Sequence, residues 1–278
     1  QCGKWCRDHG ILLTGHVLHE ETLGNQTDCM GEAMRTYRGF GLPGIDMLCA
    51  SFEFTTAKQC QSAVHQYGKP GMLSELYGVT GWDFDFRGHK FQGDWQAALG
   101  VTVRVPHLSW VSMKGNAKRD YPASISYQSP WWDQFAMIEN HFSRLNTALT
   151  RGRPLVRVGV IHPVESYWLH CGPTDQTAGI REQLDKNFLD VTDWLLHGSI
   201  DFDFISESLL PEQCAAINRT NINVQLLTME GMKKREKDYI YMAAMMDPHT
   251  GAELSMDEIV AMCDELFEAH KQWLPEYK

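Results

Sequence analysis

The sequence predicts an α/β fold: a partial (β/α)8 barrel of about four strands, then a β-α-β unit, then a helical C-terminal segment. Three observations predict it. Short, continuous apolar runs alternate with helical patterning over residues 11–110, as parallel strands covered on both faces do. Each run ends in polar or charged residues, and (β/α)8 enzymes keep their chemistry at C-terminal strand ends. A further strand–helix–strand pattern occupies 153–210, and a Met-rich helical texture follows Cys214.

"QCGKWCRDHG" (1–10) reads as the last turns of a helix leading into a strand, and a domain is not expected to open there, so a fragment or processed chain is expected. "GILLTGHV" (10–17) is the first strand, and "MGEAMRTYRG" (30–39) is helical and stops at Gly39 and Gly41. "PGIDMLC" (43–49) is the second strand, and residues 55–67 carry helical spacing closed by Gly68-Lys69-Pro70. "GMLSELYG" (71–78) is the third strand, "DWQAALG" (94–100) a helix, and "VTVRVPHLSW" (101–110) the fourth strand. A long loop, 111–132, precedes an amphipathic helix over 133–150. "LVRVGVIHP" (155–163), a helix over 176–197 and "DFDFISESLL" (201–210) form the β-α-β unit. In the last segment "LSMDEIVAMCDELFEAHKQWLP" (254–275) has Ser255 and Glu258 in a capping box. Its Ile259, Met262, Leu266 and Phe267 stripe is expected to be core. The expected division is 1–152, 153–214 and 215–278.

Composition excludes some partners. The chain has 278 residues and a formal charge of −10 with no basic tract, so nucleic acid and anionic membranes are not expected partners. No apolar run reaches the roughly 18 residues of a membrane span. The eight cysteines are scattered, and Cys2 and Cys6 have no second pair to complete a zinc set. Reduced thiols, no signal peptide and a cytoplasmic location are expected, so the sequons at Asn25 and Asn218 carry no weight.

Five constellations could carry chemistry. Gly15-His16-Val17-Leu18-His19-Glu20-Glu21 follows the first strand. Its His16, His19, Glu20 and Glu21 read as sugar contacts at a barrel mouth or as ordinary surface polar residues; the helix-borne HExxH metal spacing is absent. Ser74-Glu75-Leu76 places Glu75 at the end of an apolar strand, where a desolvated carboxylate must be paired or protonated. Catalysis or a buried ion pair both satisfy that requirement. Asp46, on the second strand, is a candidate substrate contact. Trp82-Asp83-Phe84-Asp85, then Asp94-Trp95, combine aromatic faces that stack on pyranose rings with carboxylates that take hydroxyls; a core Trp beside a solvated acidic loop is the alternative. His107 and Trp110 end the fourth strand, and Lys118 lies in the loop beyond, which caps the mouth or forms a solvated rim.

Two resemblances follow from these residues. "GILLTGHVLHEE", "PGIDML", "GKPGMLSELYG", "DWQAALGVTVRVPHLSW", "AKRDYP" and "ALTRGRPLVRVGVIHP" resemble the later half of the catalytic barrel of large bacterial glycoside hydrolases of the α-L-rhamnosidase type, family 106. There the barrel is followed by a flavodoxin-like domain, which 153–210 resembles. The resemblance covers about 1–213. It implies hydrolysis by two carboxylates, Glu75 matching the later one and Glu20 or Glu21 standing near the earlier one. That family's calcium ligands do not align here, so no metal is expected. Residues 217–277 resemble the C-terminal end of the NAD-dependent glycoside hydrolases of family 4, of α-galactosidase and α-glucosidase type. Their dinucleotide loop and metal-binding Cys and His lie upstream of the matching region and no GxGxxG occurs, so no cofactor is expected. A join near Cys214 accounts for the change in texture. The resemblances imply a glycoside hydrolase or part of one, acting on a carbohydrate; a carbohydrate-binding remnant or an inactive chimera is the alternative. Half a barrel leaves two sheet edges open, and self-association into a homo-oligomer would close them.

Overall fold

A computed structural model describes residues 1–48, 51–112, 114–118, 125–152, 154, 156 and 158–209. The expected helix over 254–275 lies outside the described residues. In chain order the elements are α1 (Cys2–Asp8), β1 (Thr14–Gly15), α2 (Leu23–Cys29), α3 (Ala33–Gly39), β2 (Leu42–Met47), α4 (Phe54–Tyr67) and β3 (Met72–Leu76). They continue with α5 (Phe86–Ala98), β4 (Val101–Pro106), α6 (Phe135–Leu149), β5 (Val158–His162), α7 (Val164–Leu169), α8 (Thr174–His197) and β6 (Phe202–Ser206). Short 3-10 turns sit at Gly115–Lys118, Trp132–Gln134 and Glu207–Leu209.

The first four strands form one parallel sheet in the order β1-β2-β3-β4, and β5 pairs with β6 in a second parallel sheet. The α/β fold with four consecutive parallel strands and a separate β-α-β pair is therefore present. Among the described residues the four-stranded sheet is open, not a closed barrel. Its register places Asp46 opposite Glu75, and Glu75 opposite Val105. β1 is much shorter than its apolar run because Ile11 and Leu12 lie exposed at the sheet edge. Helix α2 was not expected; Thr22 caps it by accepting a hydrogen bond from the Asn25 amide at 3.1 Å. Helix α5 starts eight residues earlier than its pattern, where Asp85 accepts from the Arg87 and Gly88 amides. Gly93 within it lets α6 approach: a Cβ there would lie 2.1 Å from Phe142 Cζ.

The two sheets share helix α4. One side of α4 packs Ala57, Cys60 and Ala63 with Ile45, Met72 and Val101 of the four-stranded sheet. The other side is polar and equally buried, because it meets β6. Lys58, fully buried, donates to Asp201 at 2.8 Å and lies over the Phe202 ring. Ser62 Oγ accepts from the Phe204 amide at 2.8 Å, and the Gln66 amide donates to the Phe204 carbonyl at 2.6 Å. These side chains satisfy backbone groups that an edge strand would otherwise leave open. Asp203, also buried, accepts from His65 at 3.0 Å. Leu23 and Met34 complete the apolar core around Phe188, Phe202 and Phe204.

Candidate active site

The C-terminal ends of three neighbouring strands bring His16, Asp46 and Glu75 together. His16 follows β1, Asp46 is near the end of β2 and Glu75 near the end of β3. His16 Nε2 lies 2.7 Å from Glu75 Oε2, and Nδ1 lies 3.9 Å from Asp46 Oδ2. The Nδ1 hydrogen is directed at the Val17 carbonyl, 3.0 Å away. Both ring nitrogens thus face oxygen acceptors, which favours the imidazolium. Burial opposes that charge, but the Val17 carbonyl and the Asp46 and Glu75 carboxylates outweigh it and raise the His16 pKa. The Asp46 pKa is raised, first by burial and then by Glu75, against the pull of His16. One Asp46 oxygen, Oδ1, is buried without a hydrogen-bond partner. All three side chains are partly buried, with Asp46 the least exposed.

Other expected residues ring this cluster at different distances. His107 follows β4; its amide donates to the Leu76 carbonyl at 2.7 Å, and its ring acts on the Asp46 charge. Gly78 makes room for that ring, since a Cβ there would meet His107 Cγ at 2.6 Å. His19 adopts a left-handed backbone (φ 64°) and lies 4.0 Å from Glu21 Oε1, near enough to act on Asp46. Glu21 also accepts from Asn25 Nδ2. Glu53 was missed by sequence reasoning. It stands beside α4, its pKa raised first by burial and then by Glu21 and Asp46. Its only signal was position, a carboxylate just past the second strand.

Some expected residues are not brought into the cluster. Glu20 is 1 % exposed and accepts from the Tyr37 hydroxyl at 3.1 Å; burial raises its pKa to about 7. Asp94 lies between helices, paired with Lys90 and, at 2.6 Å, with His141 of α6. Asp83 lines an open cleft of about 530 Å³ with Ser51, Thr80, Phe84 and Arg87, beyond the ends of β2 and β3, and Trp82 is its half-buried neighbour. Trp110 is half-buried past β4, and its carbonyl accepts from Gln128. Lys118 ends the 3-10 turn Gly115–Lys118.

Comparison with known proteins finds different relatives for the C-terminal sequence and for the fold. The family model described as "Family 4 glycosyl hydrolase C-terminal domain" matches residues 204–250, beginning inside β6. An α-galactosidase of Bacillus subtilis (strain 168) is 65% identical over 69 residues, 25% of this chain and 16% of that protein. An α-galactosidase of Rhizobium meliloti (strain 1021) is 35% identical over 68 residues, 24% of this chain and 14% of that protein. The chain therefore aligns with only about a sixth of the length of these relatives. Among solved structures, a rhamnosidase from Novosphingobium sp. PP1Y superposes with a TM-score of 0.53 and 14% identity over 75% of this chain and 19% of its own. That likeness is one of fold. Both resemblances read from the sequence thus have a counterpart: one in the C-terminal sequence, one in the fold. No helix among the described residues is long and apolar enough to cross a membrane.

Proposed function

We propose that this chain is a glycoside hydrolase, or a piece of one, whose Glu75 and Asp46 cleave an O-glycosidic bond at the mouth of the four-stranded sheet. The observation that carries this reading is the pairing of Asp46 with Glu75 in register on adjacent parallel strands, with His16 against both. Two carboxyl groups on rigid strand ends are what glycoside cleavage requires, one to give a proton to the leaving oxygen and one to attack or to activate water. His16 holds the Glu75 carboxylate in place, and His19 and His107 stand close enough to take sugar hydroxyls. Asp46 replaces Glu20 as the partner carboxylate in this reading, because Glu20 is turned into the interior against Tyr37. The names of the similar proteins supply the probes. Turnover of 4-nitrophenyl α-L-rhamnoside or α-galactoside by the full chain, abolished in Glu75→Gln, supports the reading; equal turnover by the variant overturns it. The free cysteines among the described residues support a cytoplasmic location.

A second reading has its own support. Val103 and Val105 are exposed on the sheet face that carries Glu75, so the face that a full barrel covers is open here. A sheet in that state can bind a sugar without cleaving it. Calorimetric binding of the free sugar, with no turnover of the aryl glycosides, selects this reading.

A further inference from the structure

We propose that His16, Asp46 and Glu75 form a site for one divalent transition ion of the zinc type, and that the bound ion inhibits glycoside cleavage at this mouth. Only the second clause rests on the hydrolase reading. One imidazole nitrogen and two carboxylate oxygens, from three different strand ends, all lie within 4.8 Å of one another. It is the one group of three such side chains found among the described residues. Three protein ligands with open positions left over is the ligand count of reactive zinc sites. The Val17 carbonyl, against Nδ1, orients the ring so that Nε2 faces Glu75, as an outer partner does for a metal-bound imidazole. The buried Asp46 Oδ1 has no hydrogen-bond partner, an acceptor left over that a cation would satisfy. The donor set argues against calcium, which takes six to eight oxygen ligands, whereas nitrogen with two carboxylates suits first-row transition ions. An ion gripping both carboxylates leaves neither free to give or accept a proton, hence the inhibition.

The test uses the full chain stripped with a chelator. Calorimetric titration with ZnCl2 is expected to show one ion per chain with a Kd of about 1 μM or below, and CaCl2 much weaker binding. His16→Gln and Asp46→Asn, both at partly exposed positions and checked for folding by circular dichroism, should each weaken zinc by about 100-fold or more, beyond the roughly 10–100-fold that loss of an outer partner costs. Cobalt as a probe should give d–d bands without a thiolate charge-transfer band. Zinc affinity unchanged in both variants, a thiolate band, or tighter calcium than zinc overturns the site. Zinc binding that raises turnover overturns the inhibitory clause. Zinc binding with no turnover in stripped or loaded protein leaves the site standing and sinks the hydrolase reading; turnover without zinc binding does the reverse.

Discussion

Both parallel sheets end in histidine and carboxylates, and only one of them makes a mouth. At the ends of β1 to β3, His16, Asp46 and Glu75 are partly exposed and converge within 4.8 Å. At the ends of β5 and β6, His162 is fully buried between Phe188 and Phe204 and bonded to Gln59 at 2.8 Å. Glu165 pairs with Arg35 of α3, and Glu207 has its pKa raised to about 7 by burial and by Glu165. On the proposed reading the same residue types serve chemistry in one place and cohesion in the other. What separates them is cover. Helices α2, α3 and α4 lie against the second sheet's unit, whereas among the described residues His16, Asp46 and Glu75 at the first sheet's ends stay partly exposed.

The largest expected effect tests that contrast. Glu75→Gln should lower aryl glycoside turnover by about 10³-fold or more, roughly 4 kcal/mol, while changing stability little. Glu207→Gln should leave turnover within a factor of about two and alter only the melting curve. Steady-state kinetics and thermal denaturation of both variants read this directly. Equal losses of turnover would mean that the two strand-end clusters are coupled, and the comparison would fail.

The buried ends should titrate with opposite slopes. His162 has a folded pKa of about 3 against 6.5 free, so its contribution is full above pH 6.5 and is lost as the pH falls toward 3. The loss amounts to as much as about 4 kcal/mol. Glu20 has a folded pKa of about 7 against 4.5 free, so its contribution is full below pH 4.5 and is lost as the pH rises toward 7. That loss is about 2–3 kcal/mol. Urea unfolding across this range should show His162→Gln removing an acid-side decline and Glu20→Gln removing a neutral-side one. A variant whose profile matches the parent's would show its residue already solvated.

The sequence made the strands legible because each is a short unbroken apolar run, and it made Glu75 legible because a carboxylate at such a run's end is costly. It could not make the cluster legible. Asp46 stands beside Glu75 only through the β2–β3 register, which depends on pairing across 29 residues of chain. Nor could it reveal the double burial of α4. Lys58, Gln59 and Ser62 are polar residues within a helical spacing, and it is β6, some 140 residues on, that buries them. The helical pattern starts only at Asp94, yet Gly93 before it is the condition for α6 to pack. Glu20 read as a mouth residue by adjacency to His19, and the turn after β1 sends it inward instead.

The α4–β6 seam offers a smaller effect. Lys58→Met keeps the stem but loses the bonds to Asp201 and Gln61. Asp201 is half-exposed and can rehydrate, so the cost should be about 1–2 kcal/mol by urea unfolding. A stabilised variant would show that the pair serves orientation rather than stability.

The smallest effect concerns the open face. Among the described residues β1 and β4 are the edge strands of the sheet, and Val103, 37 % exposed, lies on the same face as Val105. An edge strand beside exposed valines is a template for a second sheet, and two four-stranded sheets make the eight strands of a small closed barrel. Sedimentation across the micromolar range should show concentration-dependent association of the parent chain. Val103→Lys should abolish it at a stability cost below about 1 kcal/mol, because a charge at an exposed position on an edge strand blocks pairing without emptying a core site. A parent chain that stays monomeric would place the cover for this face elsewhere in the polypeptide, and the contrast between an open and a covered sheet would then hold only for the described residues.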